Sequence, residues 1–255
     1  MEHLPLGDRI EAMSRTLMMK LGGFFSASPR IGALLEQLCD DVVEFRPGET
    51  IIGAGAAYPC IYLLENGWAL RSRAMEDGSR QIVNVVLPGD LVGLNALLFM
   101  TSDFDHAART AVTAWRIPAD RLSRMLAAES RLGSALFWVN AHEESMLAER
   151  IVSLGRRSAR VRAAHVLCEL IARLEIIERA TLPELAIPLS QEDFADVLGI
   201  SAVHANKVLR GLQGEAVVTF RNNVLMVHDP GALQRIAGFD DGYLHFTRRE
   251  DRLDG

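Results

Sequence analysis

The stretch Ser190-Gln191-Glu192-Asp193-Phe194-Ala195-Asp196-Val197-Leu198-Gly199-Ile200-Ser201-Ala202-Val203-His204-Ala205-Asn206-Lys207-Val208-Leu209-Arg210-Gly211-Leu212 reads as two short helices and the turn between them. Ser190 followed three residues on by Asp193 has the form of a capping box, in which side chain and backbone satisfy each other at a helix start. Phe194, Ala195 and Leu198 share one face of that helix, and Gly199 can take the positive φ that ends it. Ser201 is placed to cap a second helix whose inner face is Ala205, Val208, Leu209 and Leu212. A turn this short makes the helices cross steeply, and the small Ala195 lets them approach closely. The spacing is specific: a small residue, a glycine four later, and apolar residues six and nine beyond that glycine.

The outer face of the second helix carries Ala202, Val203, Asn206, Lys207 and Arg210, with His204 at its edge. The whole chain has a net charge of −6, which counts against a nucleic-acid partner, but no acid occurs from Ser201 to Gly214. This face is therefore locally basic, and its groups match what the major groove displays. Asn can pair bidentately with adenine, Lys or Arg can reach guanine or phosphate, and small apolar groups can meet thymine methyls. Ser190 and Gln191 lie where the first helix would meet phosphate, which positions without reading sequence. Residues 216–220 and 224–227 read as a hairpin around Arg221-Asn222-Asn223, the wing of a winged helix, and Arg221 joins the candidate DNA contacts. The plainer reading is a helical hairpin with a solvated polar face. The agreement of caps, turn glycine, spacing and hairpin favours the DNA-binding one.

Upstream the texture changes. From Val42 to Ile117, short β-prone runs are punctuated by Pro47-Gly48, Asn66-Gly67, Asp77-Gly78 and Pro88-Gly89-Asp90, as in an antiparallel barrel or sandwich of the jelly-roll kind. Before it, Arg9–Leu21 and Ile31–Leu38 have helical spacing and flank a loop with Gly23, Ser26, Ser28 and Pro29. After Pro118, Gly and Pro become rare. Leu132, Leu136, Val139, Met146, Leu147, Ile151 and Leu154 can form one stripe on a long helix, covered either by its own domain or by a second copy. The expected class is α+β: an N-terminal β-roll with flanking helices, a long helix and a C-terminal winged helix-turn-helix. The expected divisions are 1–40 helical, 41–130 β-roll, 131–157 long helix and hinge, 158–238 winged helix, and 239–255 a charged tail.

Composition bounds the remaining possibilities. With 255 residues, 49% hydrophobic and 24% charged, the chain can bury ordinary cores. No apolar run reaches the roughly 18–20 residues that span a bilayer. The N-terminus lacks an export pattern, so a cytoplasmic location is expected. Cys39, Cys60 and Cys168 have no metal-ligand spacing. No nucleophile–base pair or phosphate loop stands out, so an enzyme is not expected.

Over nearly its full length the chain resembles the CRP/FNR family of bacterial regulators. The motifs that carry this are Gly48, Gly67, Gly78, Pro88-Gly89-Asp90 and Gly93, the stretch from Gly155 to Ala164, and Leu189–Leu212. Residues 201–207 are similar to a form frequent in alphaproteobacterial members. The resemblance implies a cyclic-nucleotide-binding-like β-roll, a homodimer through a helix at residues 131–154, and a C-terminal winged helix on a palindromic duplex site. Activation would add RNA polymerase as a partner. It also implies an effector pocket around Gly93, Leu94, Asn95, His106 and Arg109.

Departures from the family pattern bear on the effector. Where cyclic-AMP-binding members have Gly-Glu for the ribose, this chain has Gly93-Leu94-Asn95. Where they have Arg-Ser/Thr-Ala for the phosphate, it has Asp105-His106-Ala107-Ala108-Arg109, and Asp105 repels phosphate. The N-terminal cysteine cluster of iron–sulfur members is missing. No cofactor is expected and the effector is unassigned, with haem ligation by His3 or another histidine left open. Members that read guanine through a Glu and an Arg have them where this chain has Val203 and Lys207. The alternative function is a small-molecule sensor whose main activity is ligand binding in the β-roll.

Overall fold

The computed structural model describes residues 16–21, 34, 37–39, 41–180, 185–222 and 224–246. The loop with Gly23, Ser26, Ser28 and Pro29, together with His3 and Asn223, lies outside them. The helices expected at Arg9–Leu21 and Ile31–Leu38 and the tail expected at 239–255 are described only in part. Contacts divide the chain into two units. One comprises Met1–Arg71, Val86–Glu143 and His245–Gly255; the other comprises Ser72–Val85 and Glu144–Leu244.

The first unit is built on antiparallel strands β1 (Asp41–Phe45), β2 (Thr50–Ile52), β3 (Cys60–Asn66), β4 (Ala69–Ala74), β5 (Arg80–Val86), β6 (Leu91–Val92), β7 (Asp105–Ala108) and β8 (Val112–Pro118). They form two four-stranded sheets, ordered β1-β8-β3-β6 and β2-β7-β4-β5. The second half of β4, the turn after it and all of β5 but Val86 belong to the second unit. β8 sits between β1 and β3, with Trp115 opposite Val42 on one side and Leu63 on the other. One core gathers Ile61, Leu63, Trp115 and Ile117 with Leu17, Leu21 and Leu38; a second gathers Ile52, Leu64, Val92 and Ala114.

Helix α1 (Ala119–Ala128) is followed by the long α2 (Ser130–Arg156). Leu132, Ala135 and Leu136 of α2 are buried in the first core. This divides the stripe expected from the sequence. Leu132, Leu136 and Met146 are buried, whereas Ile151 is 70% exposed. The exposed face of α2 shares only Ile151 with that stripe: Ser134, Phe137, Ala141, Glu144, Ala148, Ile151 and Gly155, spaced alternately by three and four.

The second unit contains the rest of α2, then α3 (Ala159–Ile176), β9 (Leu185–Ile187), α4 (Gln191–Leu198), α5 (Ala202–Gly214), β10 (Val218–Arg221), β11 (Val224–Val227) and α6 (Pro230–Ala237). Ser158 caps α3. The small sheet runs β10-β11-β9. On α3, Glu169 is 2% exposed and accepts from Arg150 at 2.8 Å and from the Tyr243 hydroxyl at 2.9 Å. Burial alone would raise its pKa, but Arg150 and Arg173 outweigh that and hold the carboxyl below its ordinary range. Arg173 in turn donates to the Val85 carbonyl at 2.9 Å. Among the described residues no helix is long and apolar enough to cross a membrane.

Candidate nucleic-acid interface

Helix α4 starts at a complete capping box. The Ser190 hydroxyl accepts from the Asp193 backbone at 3.0 Å, and the Asp193 carboxylate accepts from the Ser190 backbone at 3.0 Å. Gly199 ends the helix at φ 61°, and a Cβ there would meet Leu154 at 3.1 Å and Gln81 at 3.2 Å. Ser201 caps α5 by accepting from the His204 backbone at 3.3 Å. Phe194, Ala195, Val197 and Leu198 of α4 are buried, as are Ala205, Val208, Leu209 and Leu212 of α5. That burial fixes which face of α5 points outward.

Outward lie Ser201, Ala202, Val203, His204, Lys207 and Arg210, all exposed, with Asn206 half-buried. Val203 is 83% exposed. Ser190, Gln191, Glu192, Ala202, Val203 and Asn206 line one groove, and the Gln191 amide reaches the Ala202 carbonyl at 3.4 Å. The structure thus brings the expected phosphate-facing residues of α4 beside the base-facing residues of α5. Arg221 is exposed at the end of β10, in the hairpin it forms with β11. Glu215, the first acid beyond α5, is paired with Arg160 at 2.6 Å.

The first unit holds a small cavity of about 30 Å³, room for roughly two waters. Gly93, Leu94, Asn95 and His106 line it, as expected; Arg109 does not, and its backbone donates instead to the Trp68 carbonyl at 2.7 Å. The cation in the cavity wall is Arg71 of β4. Its guanidinium lies 2.7 Å from Glu143 of α2 and 4.4 Å from the centre of the Phe104 ring. Burial and the nearby Arg71 push the His106 imidazole down to about 4, so it is neutral at ordinary pH. Arg71 and Glu143 carry no sequence signal, because β4 and α2 bring them together across 72 positions.

The chain matches the family profile described as cyclic nucleotide-binding domain over residues 42–129 and the Crp-like helix-turn-helix domain over residues 161–236. This chain belongs to the CRP/FNR family. It is accordingly a regulator of transcription that carries the family's helix-turn-helix DNA-binding domain. Among its relatives is the nitrogen fixation regulation protein FixK of Bradyrhizobium diazoefficiens, 27% identical over 76% of this chain and 81% of that protein. The transcriptional activator protein FnrL of Cereibacter sphaeroides is also 27% identical, over 78% of this chain and 82% of that protein. The fold matches the structure of FixK2 from Bradyrhizobium japonicum with a TM-score of 0.71 at 22% identity, covering 78% of this chain and 98% of that one. A CRP/FNR-family regulator from Thermus thermophilus matches with a TM-score of 0.65 at 20% identity, covering 78% and 99%.

Within the regulator, the two capped helices and the β10–β11 hairpin fall inside the helix-turn-helix match, and the residues of the Arg71 cavity other than Glu143 fall inside the other.

Proposed function

We propose that this regulator binds a palindromic duplex site as a homodimer and is not controlled by cyclic AMP. The observation that carries the DNA reading is the outward face of α5, where Ala202, Val203, Asn206, Lys207 and Arg210 stand without an acid among them. Asn206 and Lys207 are the base-reading residues and Ser190, Gln191, Arg210 and Arg221 the backbone-positioning ones. The dimer reading is supported by the exposed face of α2. Phe137 (75% exposed), Ala141, Ala148 and Ile151 form an apolar seam of heptad spacing that a second copy would cover. The α5 helices of the two copies then meet half-sites about one helical turn apart.

The cavity lined by Gly93, Leu94, Asn95 and His106 is the effector pocket in this reading, with Arg71 rather than Arg109 as the arginine in its wall. Leu94 offers no acceptor for a ribose hydroxyl. Glu143 already occupies the guanidinium that a cyclic phosphate would need. The names of the FixK and FnrL relatives agree with a signal other than cyclic AMP. The regulator acts in the cytoplasm, has no catalytic role, and contacts RNA polymerase where it activates. Selection of duplexes from a random pool, followed by footprinting, tests the reading. Enrichment of an inverted repeat is expected, and no enrichment at moderate salt sinks it.

A further inference from the structure

The turn between β4 and β5 reaches the first helix of the helix-turn-helix through charge. Arg80 of β5 lies 2.7 Å from the Asp193 carboxylate and 2.8 Å from that of Asp196, two acids on α4. Its neighbour Gln81 donates to the Asp196 backbone carbonyl at 2.6 Å. Asp193 is the acid of the capping box, and its carboxylate is only 9% exposed. Arg80 lies inside the match to the cyclic nucleotide-binding domain, whereas both acids lie inside the match to the helix-turn-helix domain.

These contacts raise an electrostatic question. Helix α4 carries Glu192, Asp193 and Asp196 within its first six residues, and in the DNA-binding reading its N-terminus is the end that meets phosphate. Acids at a helix N-terminus stabilise the helix itself through its dipole. Against duplex DNA the same acids are repulsive, since phosphate attracts cations and rejects carboxylates. Two of the three are matched by a single guanidinium from outside the helix-turn-helix sequence. The two carboxylates hold that guanidinium firmly protonated against the opposing effect of burial.

We propose that Arg80 is a positioning residue for DNA binding. It offsets half of the charge that Asp193 and Asp196 carry between them, and it holds Asp193 in the cap that presents Ser190 and Gln191 to the phosphate backbone. A residue of the effector-domain sequence therefore sets the charge of the DNA-reading helix pair. The inference rests on the DNA-binding reading above, and it goes beyond it by naming a residue that touches no DNA.

The test uses the full-length chain and the duplex enriched from the random pool, with affinity read by fluorescence anisotropy at low and at physiological salt. Arg80→Ala is expected to weaken binding about fivefold to tenfold at low salt and less at physiological salt, because screening shortens the reach of the uncovered acids. Arg80→Lys is expected to keep most of the affinity. The deciding variant is Arg80→Ala combined with Asp196→Asn. If charge is the issue, affinity recovers at least halfway; if Arg80 serves only as a structural clamp, the second change restores nothing and the proposal is overturned. Wild-type affinity in Arg80→Ala overturns it too. Should Arg80→Ala fail to fold by circular dichroism, Asp196→Asn alone decides. It is expected to bind twofold to threefold more tightly than wild type, and weaker binding refutes the proposal. A pool without an enriched duplex refutes the DNA-binding reading instead.

Discussion

The Arg71 guanidinium and the Glu143 carboxylate lie 2.7 Å apart, joining a strand of the β-roll to the long helix from inside the cavity. An occupied cation has little to offer a cyclic phosphate, and Leu94 has nothing to offer a ribose. Millimolar cyclic AMP or cyclic GMP should therefore leave the Tm unchanged in a thermal-shift measurement. A ligand present at a hundred times its Kd would add about 2.7 kcal/mol and raise the Tm by several degrees. Such a rise would contradict the assignment of the cavity.

On the reading helix, base contacts and backbone contacts should separate experimentally. Asn206→Ala or Lys207→Ala should cost roughly 1–3 kcal/mol on the selected site and relax preference at one or two positions. Arg210→Ala should weaken binding on all duplexes alike and lower the salt slope by about one. Titrations on matched and mismatched duplexes at several salt concentrations distinguish the two patterns.

Self-association should respond to Glu144. It is the one charged residue on the exposed seam Ser134, Phe137, Ala141, Glu144, Ala148, Ile151 and Gly155. In a two-fold dimer it would face its own copy or its near neighbours, and like charges across such a seam oppose pairing. Glu144→Ala should strengthen the dimer and Ile151→Glu should weaken it, each by roughly tenfold, an estimate that follows from about 1.4 kcal/mol per decade. Sedimentation velocity over a concentration series measures both, and an unchanged constant for both would place the interface elsewhere.

Two substitutions probe the second unit. Gly199→Ala forces a Cβ onto a backbone at φ 61° and against Leu154 at 3.1 Å, so stability should fall by about 1–2 kcal/mol. Glu169→Ala strips the buried Arg150 of its 2.8 Å partner, and the Tyr243 hydroxyl also loses its acceptor. The loss should be about 3–5 kcal/mol. Urea denaturation of each variant gives the values.

Acid should destabilise the protein through His106. Its folded pKa, about 4, lies below the 6.5 of the free side chain. Below pH 6.5 the unfolded chain therefore binds a proton that the folded one refuses. Stability is full above pH 6.5 and declines as pH falls toward 4, by roughly 3 kcal/mol in total. His106→Gln should remove that part of the pH dependence, as read from urea midpoints between pH 4.5 and 7.5.

The helix-turn-helix was legible because its signals are local. Ser190 and Asp193, Gly199, and Ser201 act on backbone atoms within a few residues of themselves, and the faces of α4 and α5 follow from helical periodicity alone. The β-roll turns were legible for the same reason, since glycines such as Gly93 mark backbone positions that other residues enter only with strain. The long helix was legible as a helix, and its stripe as one that something must cover, but not which of its residues the chain itself covers. Periodicity reports that Leu132, Leu136 and Met146 are to be covered; it does not say that their own domain covers them while Phe137 and Ile151 stay open.

Arg71, Glu143 and Arg80 belong to the other class. Each is an unremarked charge in sequence, and each acquires a role from a residue 72 to 116 positions away. A short-range rule cannot find such pairs, because what joins them is the course of the chain. The sequence by itself determined the two capped helices, the turn glycine and the acid-free outer face of α5, since backbone capping and helical period act over a few residues. Only the tertiary structure decided which arginine guards the cavity, which face of the long helix is open and which cation answers the acids of α4. Charges and apolar faces act through space, on whatever neighbour the fold supplies.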